Sequence, residues 1–128
     1  MYNIDNELLM AIRNARIDRT VEPWSGGNRV LLANDKNTFS VAYRGNVVFN
    51  YNRKTKKFWI NDCGWNTRTT KNIINTCFKA TEIPYSVFSS KDRFCIRSFK
   101  DNFEKIIGDG KVTKAEIEKP EYWVKKVK

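Results

Sequence analysis

A succession of short alternating segments between residues 38 and 61 is the feature that most constrains the fold. Apolar and polar residues alternate there with the two-residue period of a strand that buries one face. The segments are TFSVAY (38–43), VVFNY (47–51) and KFWIN (57–61). The links between them, RGN and NRKTK, are short and have the composition of hairpin turns. Because parallel strands need a long crossover, links this short predict an antiparallel meander.

Further elements flank the meander. Three more segments have strand character: RVLLA (29–33), YSVFS (85–89) and FCIRSF (94–99). Helical spacing predicts helices in NIDNELLMAIRNARI, from Thr67 or Thr69 to about Ala80, and in DNFEKII (101–107). The predicted fold class is α+β. It has a mostly antiparallel sheet, made of the meander and a C-terminal hairpin, with an N-terminal helix, one central helix and a short C-terminal helix.

The length of 128 residues is that of one domain, and we assign residues 1–128 to it. Within it we expect an N-terminal helix over 1–20, a sheet-and-helix body over 28–100, and a short helix with a charged tail over 101–128. The sequence contains no secretory signal pattern and no apolar run of the roughly 20 residues that a membrane span needs. We therefore expect a soluble, cytoplasmic protein that does not contact membranes.

Histidine is absent and there are three cysteines, none in a C-x-x-C pair. This composition excludes Ser-His-Asp and Cys-His catalysis and any zinc site built from Cys and His. We predict no metal and no cofactor, and enzymatic activity stays open but less expected than binding. The remaining catalytic alternative is a histidine-free, metal-dependent nuclease that uses the E-x-K element of Glu116, Glu118 and Lys119.

The net charge of +10 is concentrated in one part of the chain. Residues 38–100 hold twelve Lys and Arg against three Asp and Glu, whereas residues 1–37 hold five of each. Solubility alone does not require acidic residues to be excluded from one region. The block therefore favours a basic surface that faces a polyanion.

The stretch CGWNTRTTKN (63–72) is the first candidate site, because a phosphate fits the unpaired N–H groups and the positive dipole end where a helix begins. An ordinary capped helix start explains the threonines equally well. The first turn, however, carries cations where acidic residues are usually favoured. We predict ligand contacts from five side chains: Trp65, Thr67, Arg68, Thr69 and Lys71.

Two further basic groups lie on the predicted hairpins. The turn after VVFNY contributes Arg53, Lys54, Lys56 and Lys57 for phosphates and Trp59 for stacking on a base. Additional basic contacts are expected from four residues: Arg44, Lys91, Arg93 and Arg97. Solvated hairpin tips have the same composition, so the pattern alone leaves both interpretations open.

The pattern YRGNVVFNYN…KKFWINDCGWNTRTTKNIIN resembles small phage-encoded proteins of unknown function. Those proteins have a Gly-Asn hairpin, a strand, and a GW-x-T-x-T-T-K step into a helix. The resemblance covers about residues 41–78, and it departs from the family pattern at Asn72 and Ile73, where an arginine is usual. It implies a phage accessory protein in the host cytoplasm and brings no catalytic residues.

The sequence therefore predicts a non-enzymatic phage-type accessory protein that binds a phosphate-rich ligand, most simply DNA or RNA. Its role would be anti-defence or host takeover. The alternative is a sponge or inhibitor that binds a small nucleotide signal or an acidic host protein. The oligomeric state is open, with a homodimer among the options.

Overall fold

The computed structural model describes residues 6–14, 21–24, 29–33, 37–62, 67–90, 93–99, 103–106, 110–118 and 124–125. Three helices lie in this part of the chain: α1 (Asn6–Asn14), α2 (Arg68–Ala80) and α3 (Lys114–Ile117). Ten strands accompany them: β1 (Val21–Trp24), β2 (Arg29–Ala33), β3 (Thr38–Tyr43), β4 (Asn46–Asn52), β5 (Phe58–Asn61), β6 (Tyr85–Ser90), β7 (Arg93–Ser98), β8 (Phe103–Ile106), β9 (Lys111–Thr113) and β10 (Val124–Lys125).

The strands form two antiparallel sheets. The larger has the order β1-β2-β3-β4-β5-β9, and the smaller has the order β10-β8-β7-β6. Short links join β3 to β4 and β4 to β5, as expected for a meander, so each strand pairs with its neighbour in the chain. A bulge between Val41 and Ala42 shifts the β3–β4 register. The fold class is thus α+β with a mostly antiparallel sheet core, which confirms the prediction.

Helix α2 packs on both sheets and on α1. The Phe78 ring meets Phe49 and Phe58 of the larger sheet edge-on, with centroids 5.7 and 5.4 Å away, and Tyr85 of the smaller sheet at 6.0 Å. One apolar cluster therefore holds the sheets and helices together. Because most of α2 is buried, its exposed positions are Arg68 and Lys79, near the two ends of the helix.

Asn75 attaches α2 to the edge of the smaller sheet. Its side-chain amide donates to the Val87 carbonyl at 3.0 Å, and its side-chain oxygen accepts from the Val87 N–H at 2.6 Å. The asparagine thus takes the place that a neighbouring strand would have at this edge. This contact fixes the distance between α2 and β6, which form the walls of the groove described below.

The predicted strands at 29–33, 38–43, 47–51, 57–61, 85–89 and 94–99 and the central helix are confirmed within a few residues at their ends. The predicted N-terminal helix is confirmed over Asn6–Asn14, and the rest of 1–20 lies outside the described residues. In β4 the bulge buries both Val48 and Phe49 and leaves Val47 half-buried, whereas strict alternation places Val47, Phe49 and Tyr51 on one face.

The helix predicted over 101–107 is wrong. Phe103–Ile106 form strand β8, because this segment pairs with β7 on one side and β10 on the other. The short C-terminal helix is instead α3, which a capping box starts: the Thr113 side chain accepts from the Glu116 N–H, and the Glu116 side chain accepts from the Thr113 N–H. No helix within the described ranges is long and apolar enough to cross a membrane.

Candidate nucleic-acid interface

The start of α2 is a capped helix end. Thr67 is the N-cap, and its hydroxyl oxygen accepts from the Thr70 N–H at 3.2 Å and lies 3.0 Å from the Thr70 hydroxyl. Thr70 is fully buried, Thr69 is half-buried and Arg68 is exposed. Of the five predicted contacts here, Trp65 lies outside the described residues. The Thr67 hydroxyl is exposed but is used within the helix, so Arg68 is the exposed cation of this helix start.

Lys71 points inward. It is only 2% exposed, and its ammonium donates to the Thr67 carbonyl at 3.1 Å and lies 6.0 Å from the centre of the Phe94 ring. Burial lowers the pKa of Lys71, and the negative charge of the fully buried Asp62 opposes that shift. The Lys71 cation therefore has internal partners at this helix start and does not contribute to the exposed basic surface.

The lysines of the β4–β5 turn lie on a backbone that side-chain hydrogen bonds hold in place. The Asn52 side-chain oxygen accepts from the N–H groups of Lys54 and Thr55, each at 2.9 Å, and Lys56 has a positive φ of 64°. The side chains of Lys54, Lys56 and Lys57 are exposed. We call these three residues the turn lysines.

Arg53 has a different role from the turn lysines. Its guanidinium donates to the Ile12 carbonyl near the end of α1 at 3.3 Å and lies 4.9 Å from the centre of the Phe39 ring. Its N–H also donates to the Asn37 carbonyl at 2.8 Å. Half-buried in this way, Arg53 anchors the turn to α1 and to the larger sheet, and contributes less charge to the surface than the lysines beside it.

The remaining predicted contacts are spread over the molecule. Trp59 is half-buried, and the Lys111 ammonium lies over its ring at 4.5 Å, so a cation already occupies the ring face proposed for a base. Arg44 is exposed at the β3–β4 turn, at the opposite end of β4 from the turn lysines. Arg93 is exposed at the start of β7, and Lys91 lies outside the described residues.

Arg97 belongs to a cluster that the sequence analysis did not identify. It donates to the Glu104 carboxylate at 2.8 Å, and its guanidinium lies 4.9 Å from the centre of the Phe88 ring. Both Arg97 and Ser86 stand on the face of the smaller sheet opposite to Val87, since they are cross-strand partners. That outer face forms one wall of an open groove.

This groove runs between α2 and strands β6 and β7 and has a volume of about 970 Å³. Its walls carry both cations and aromatic rings, among them Arg68, Lys79, Arg97, Phe88 and Phe99. We call it the α2–β6 groove. Phe99 is 63% exposed, and its N–H donates to the Pro84 carbonyl at 2.9 Å, which ties this residue to the segment that follows α2.

A second cleft of about 520 Å³ begins at the β4–β5 turn. Lys56, Lys114 and Glu118 line it, and it shares residues 82–85 with the α2–β6 groove. The two depressions therefore adjoin at the C-terminal end of α2. Together they connect the turn lysines to Arg68 at the far end of the helix.

A signal for part of the groove was present in the sequence. Arg68 and Lys79 are eleven residues apart, which returns nearly to the same side of an α-helix after three turns. The aromatic wall had no such signal, because Phe88 lies in β6 and Phe99 directly follows β7, and the pairing of these strands brings both into one wall.

The two carboxylates considered for a nuclease serve structural contacts. Glu116 closes the capping box of α3, and Glu118 accepts from the Tyr85 hydroxyl at 3.0 Å and lies 3.8 Å from the Lys114 ammonium. Lys119 lies outside the described residues. Among the residues that the model describes, no three Cys, Asp or Glu side chains are grouped so as to hold a metal ion.

Comparison with protein families identifies the family of this chain. The family model described as "Kyanoviridae Gp96 protein" matches residues 1–120, which is nearly the whole chain. No curated protein and no solved structure matches it. The expected phage origin is thus supported over a longer stretch than residues 41–78, on which the resemblance was based. The chain belongs to the Kyanoviridae Gp96 protein family, a family of phage proteins.

Proposed function

We propose that this phage protein is a nucleic-acid-binding accessory protein without catalytic activity. The observation that carries the proposal is the sign of the exposed charge. Among the described residues from 38 to 99, seven Lys and Arg side chains are exposed, against a single exposed carboxylate, Glu82. Of the other acidic residues in this region, Asp62 is fully buried and Asp92 lies outside the described part. A surface of this kind attracts phosphate backbones.

The arrangement of the cations favours binding through the backbone of the nucleic acid. Lysines on a hairpin turn reach phosphates as point charges and carry no base information. Helix α2 is held between two sheets and buries most of its length, so it is not available to enter a major groove as a recognition helix does. We therefore expect weak sequence specificity.

The role in infection would be anti-defence or host takeover, in which a phage protein acts on nucleic acid in the host cell. Family membership supports the phage origin alone, and the binding surface is the basis for the rest of this proposal. A physical test of binding therefore comes before any test of the biological role.

Fluorescence anisotropy of labelled single-stranded DNA, duplex DNA and RNA at two salt concentrations tests the proposal. We expect binding that weakens steeply with salt, because each neutralised phosphate releases counterions. The slope of log affinity against log salt then gives the number of phosphates that the protein contacts. Absence of binding to all three probes at low salt would overturn the proposal.

A small nucleotide is the second candidate, and the α2–β6 groove is the observation that favours it. The groove combines Arg68 and Arg97 with the rings of Phe88 and Phe99, which suits a base and its phosphates. The variants Arg68→Ala and Lys54→Ala separate the two candidates. A nucleic-acid polymer should lose affinity with both, whereas a nucleotide held in the groove should respond to Arg68→Ala alone.

A further inference from the structure

We propose that the α2–β6 groove holds a single, unpaired nucleic-acid strand, with phosphates near Arg68 and Lys79 and a base stacked on Phe99. This inference rests on the proposed function and goes further, because it names the form of nucleic acid and the place where its bases lie. The turn lysines alone give no preference between a single strand and a duplex.

The spacing of the groove's cations matches the length of a short segment of single-stranded nucleic acid. Arg68 and Lys79 lie on α2 eleven residues apart, which corresponds to about 16 Å along the helix axis. At about 3.4 Å per phosphate in a stacked strand, this length covers roughly five phosphates. Arg97 faces them from β7, and Glu82 is the one carboxylate among the described lining residues.

The aromatic rings of the groove differ in what they can still bind. Phe88 already has the Arg97 guanidinium 4.9 Å from its ring centre. Phe99 is 63% exposed and, with Met10, is one of two large apolar side chains exposed in the described part of the chain. The hydrogen bond from the Phe99 N–H to the Pro84 carbonyl holds the backbone of Phe99 in place, so the ring stays beside the cations of the groove.

The exposed ring is what selects an unpaired strand. In a duplex the faces of the bases are stacked on one another, and a protein reaches only their edges and the phosphates. An exposed phenylalanine therefore stacks most readily on an unpaired base, and such stacking tolerates any base. The combination of cations and an exposed ring is the pattern of a groove that binds single strands.

The adjoining cleft extends the path to the turn lysines. Lys56 lines that cleft, and residues 82–85 are common to both depressions. A nucleic-acid strand that leaves the groove past Pro84 would thus pass Lys56 and the β4–β5 turn. Glu82 lies at this junction and opposes phosphate, so its neutralisation by Glu82→Gln should tighten binding.

The test compares Phe99→Ala with the matched control Met10→Ala, using labelled oligothymidine and a duplex of equal length. Both side chains are exposed, so both variants should fold, which circular dichroism verifies. We expect Phe99→Ala to weaken single-strand binding by roughly 5- to 150-fold, with little effect on the duplex and none on the salt slope. Met10→Ala should bind as the native protein does. Equal losses on both probes, or no loss on either, would overturn the inference.

A second variant distinguishes the groove assignment from the proposed nucleic-acid-binding function. Arg68→Gln should reduce the single-strand salt slope by about 0.7, the contribution of one phosphate contact. If the native protein binds DNA with a slope that depends on the turn lysines, while Phe99→Ala and Arg68→Gln change nothing, the groove assignment fails and the proposed function stands. If the native protein binds no probe, both fail.

Discussion

Neutralising the turn lysines is the perturbation with the most direct consequence. The variant Lys54→Gln, Lys56→Asn, Lys57→Gln removes three exposed charges, and asparagine suits the positive φ at position 56. The three side chains form no ion pair with any described residue, and the turn is ordered by the Asn52 side chain and Arg53. Removing the charges should therefore leave the fold intact.

The expected size follows from counterion release. Each contact with a single strand contributes about 0.7 to the slope of log K against log salt, so three contacts contribute about 2. At about 0.1 M salt the same three contacts correspond to a loss of roughly 100-fold in affinity. For duplex DNA the coefficient is about 0.9, which raises the slope change to nearly 3.

Anisotropy titrations at four or more salt concentrations measure this slope. Lys111→Gln is the matched control, because Lys111 is exposed but lies beside Asn61, at the other end of β5 from the turn. It should leave the slope unchanged. If the triple variant keeps the native slope and affinity, the turn lysines touch no phosphate and the proposed surface is in the wrong place.

Three predictions concern stability, measured by urea unfolding. Asn75→Ala leaves the Val87 N–H and carbonyl without the side chain that binds them, and should cost about 3 kcal/mol; a loss below about 1 kcal/mol would show that another group replaces it. Glu82→Gly should gain about 1 kcal/mol, because Glu82 has a φ of 59° just after α2; a loss would contradict this. Burial lowers the pKa of Lys71 in the folded state below the ordinary lysine value of 10.5. Between the lowered pKa and 10.5, the unfolded state therefore binds more protons than the folded state does. Stability should therefore rise with pH towards 10.5 in the native protein relative to Lys71→Met, and a fall would refute the sign.

Local patterns in the sequence were sufficient for the meander and for α2. Strands β3 to β5 alternate, their links are short, and Thr67 precedes a helical apolar pattern, so the information lies within a few residues. Strand β1 was missed because Pro23 and the following glycines indicate a break. Proline is tolerated there because β1 is at the edge of its sheet.

The two errors near the C-terminus have different origins. Phe103–Ile106 are apolar enough for a helix face, and only pairing with β7 and β10 makes them a strand. A local signal was available for α3, since Thr113 and Glu116 have the spacing of a capping box, but the glutamate was considered as a catalytic residue instead. The aromatic wall of the groove could not be predicted for the same reason as β8. Its residues come from distant segments that only the strand pairing brings together.

The measurement that tests the central claim most directly is a map of the native protein's backbone amide NMR signals during titration with oligothymidine. The account predicts that shifts concentrate at the β4–β5 turn, at both ends of α2 and at Phe99, and that Lys111 and its neighbours in β9 stay unchanged. Absence of shifts at saturating oligonucleotide, or shifts confined to β9 and α3, would contradict it.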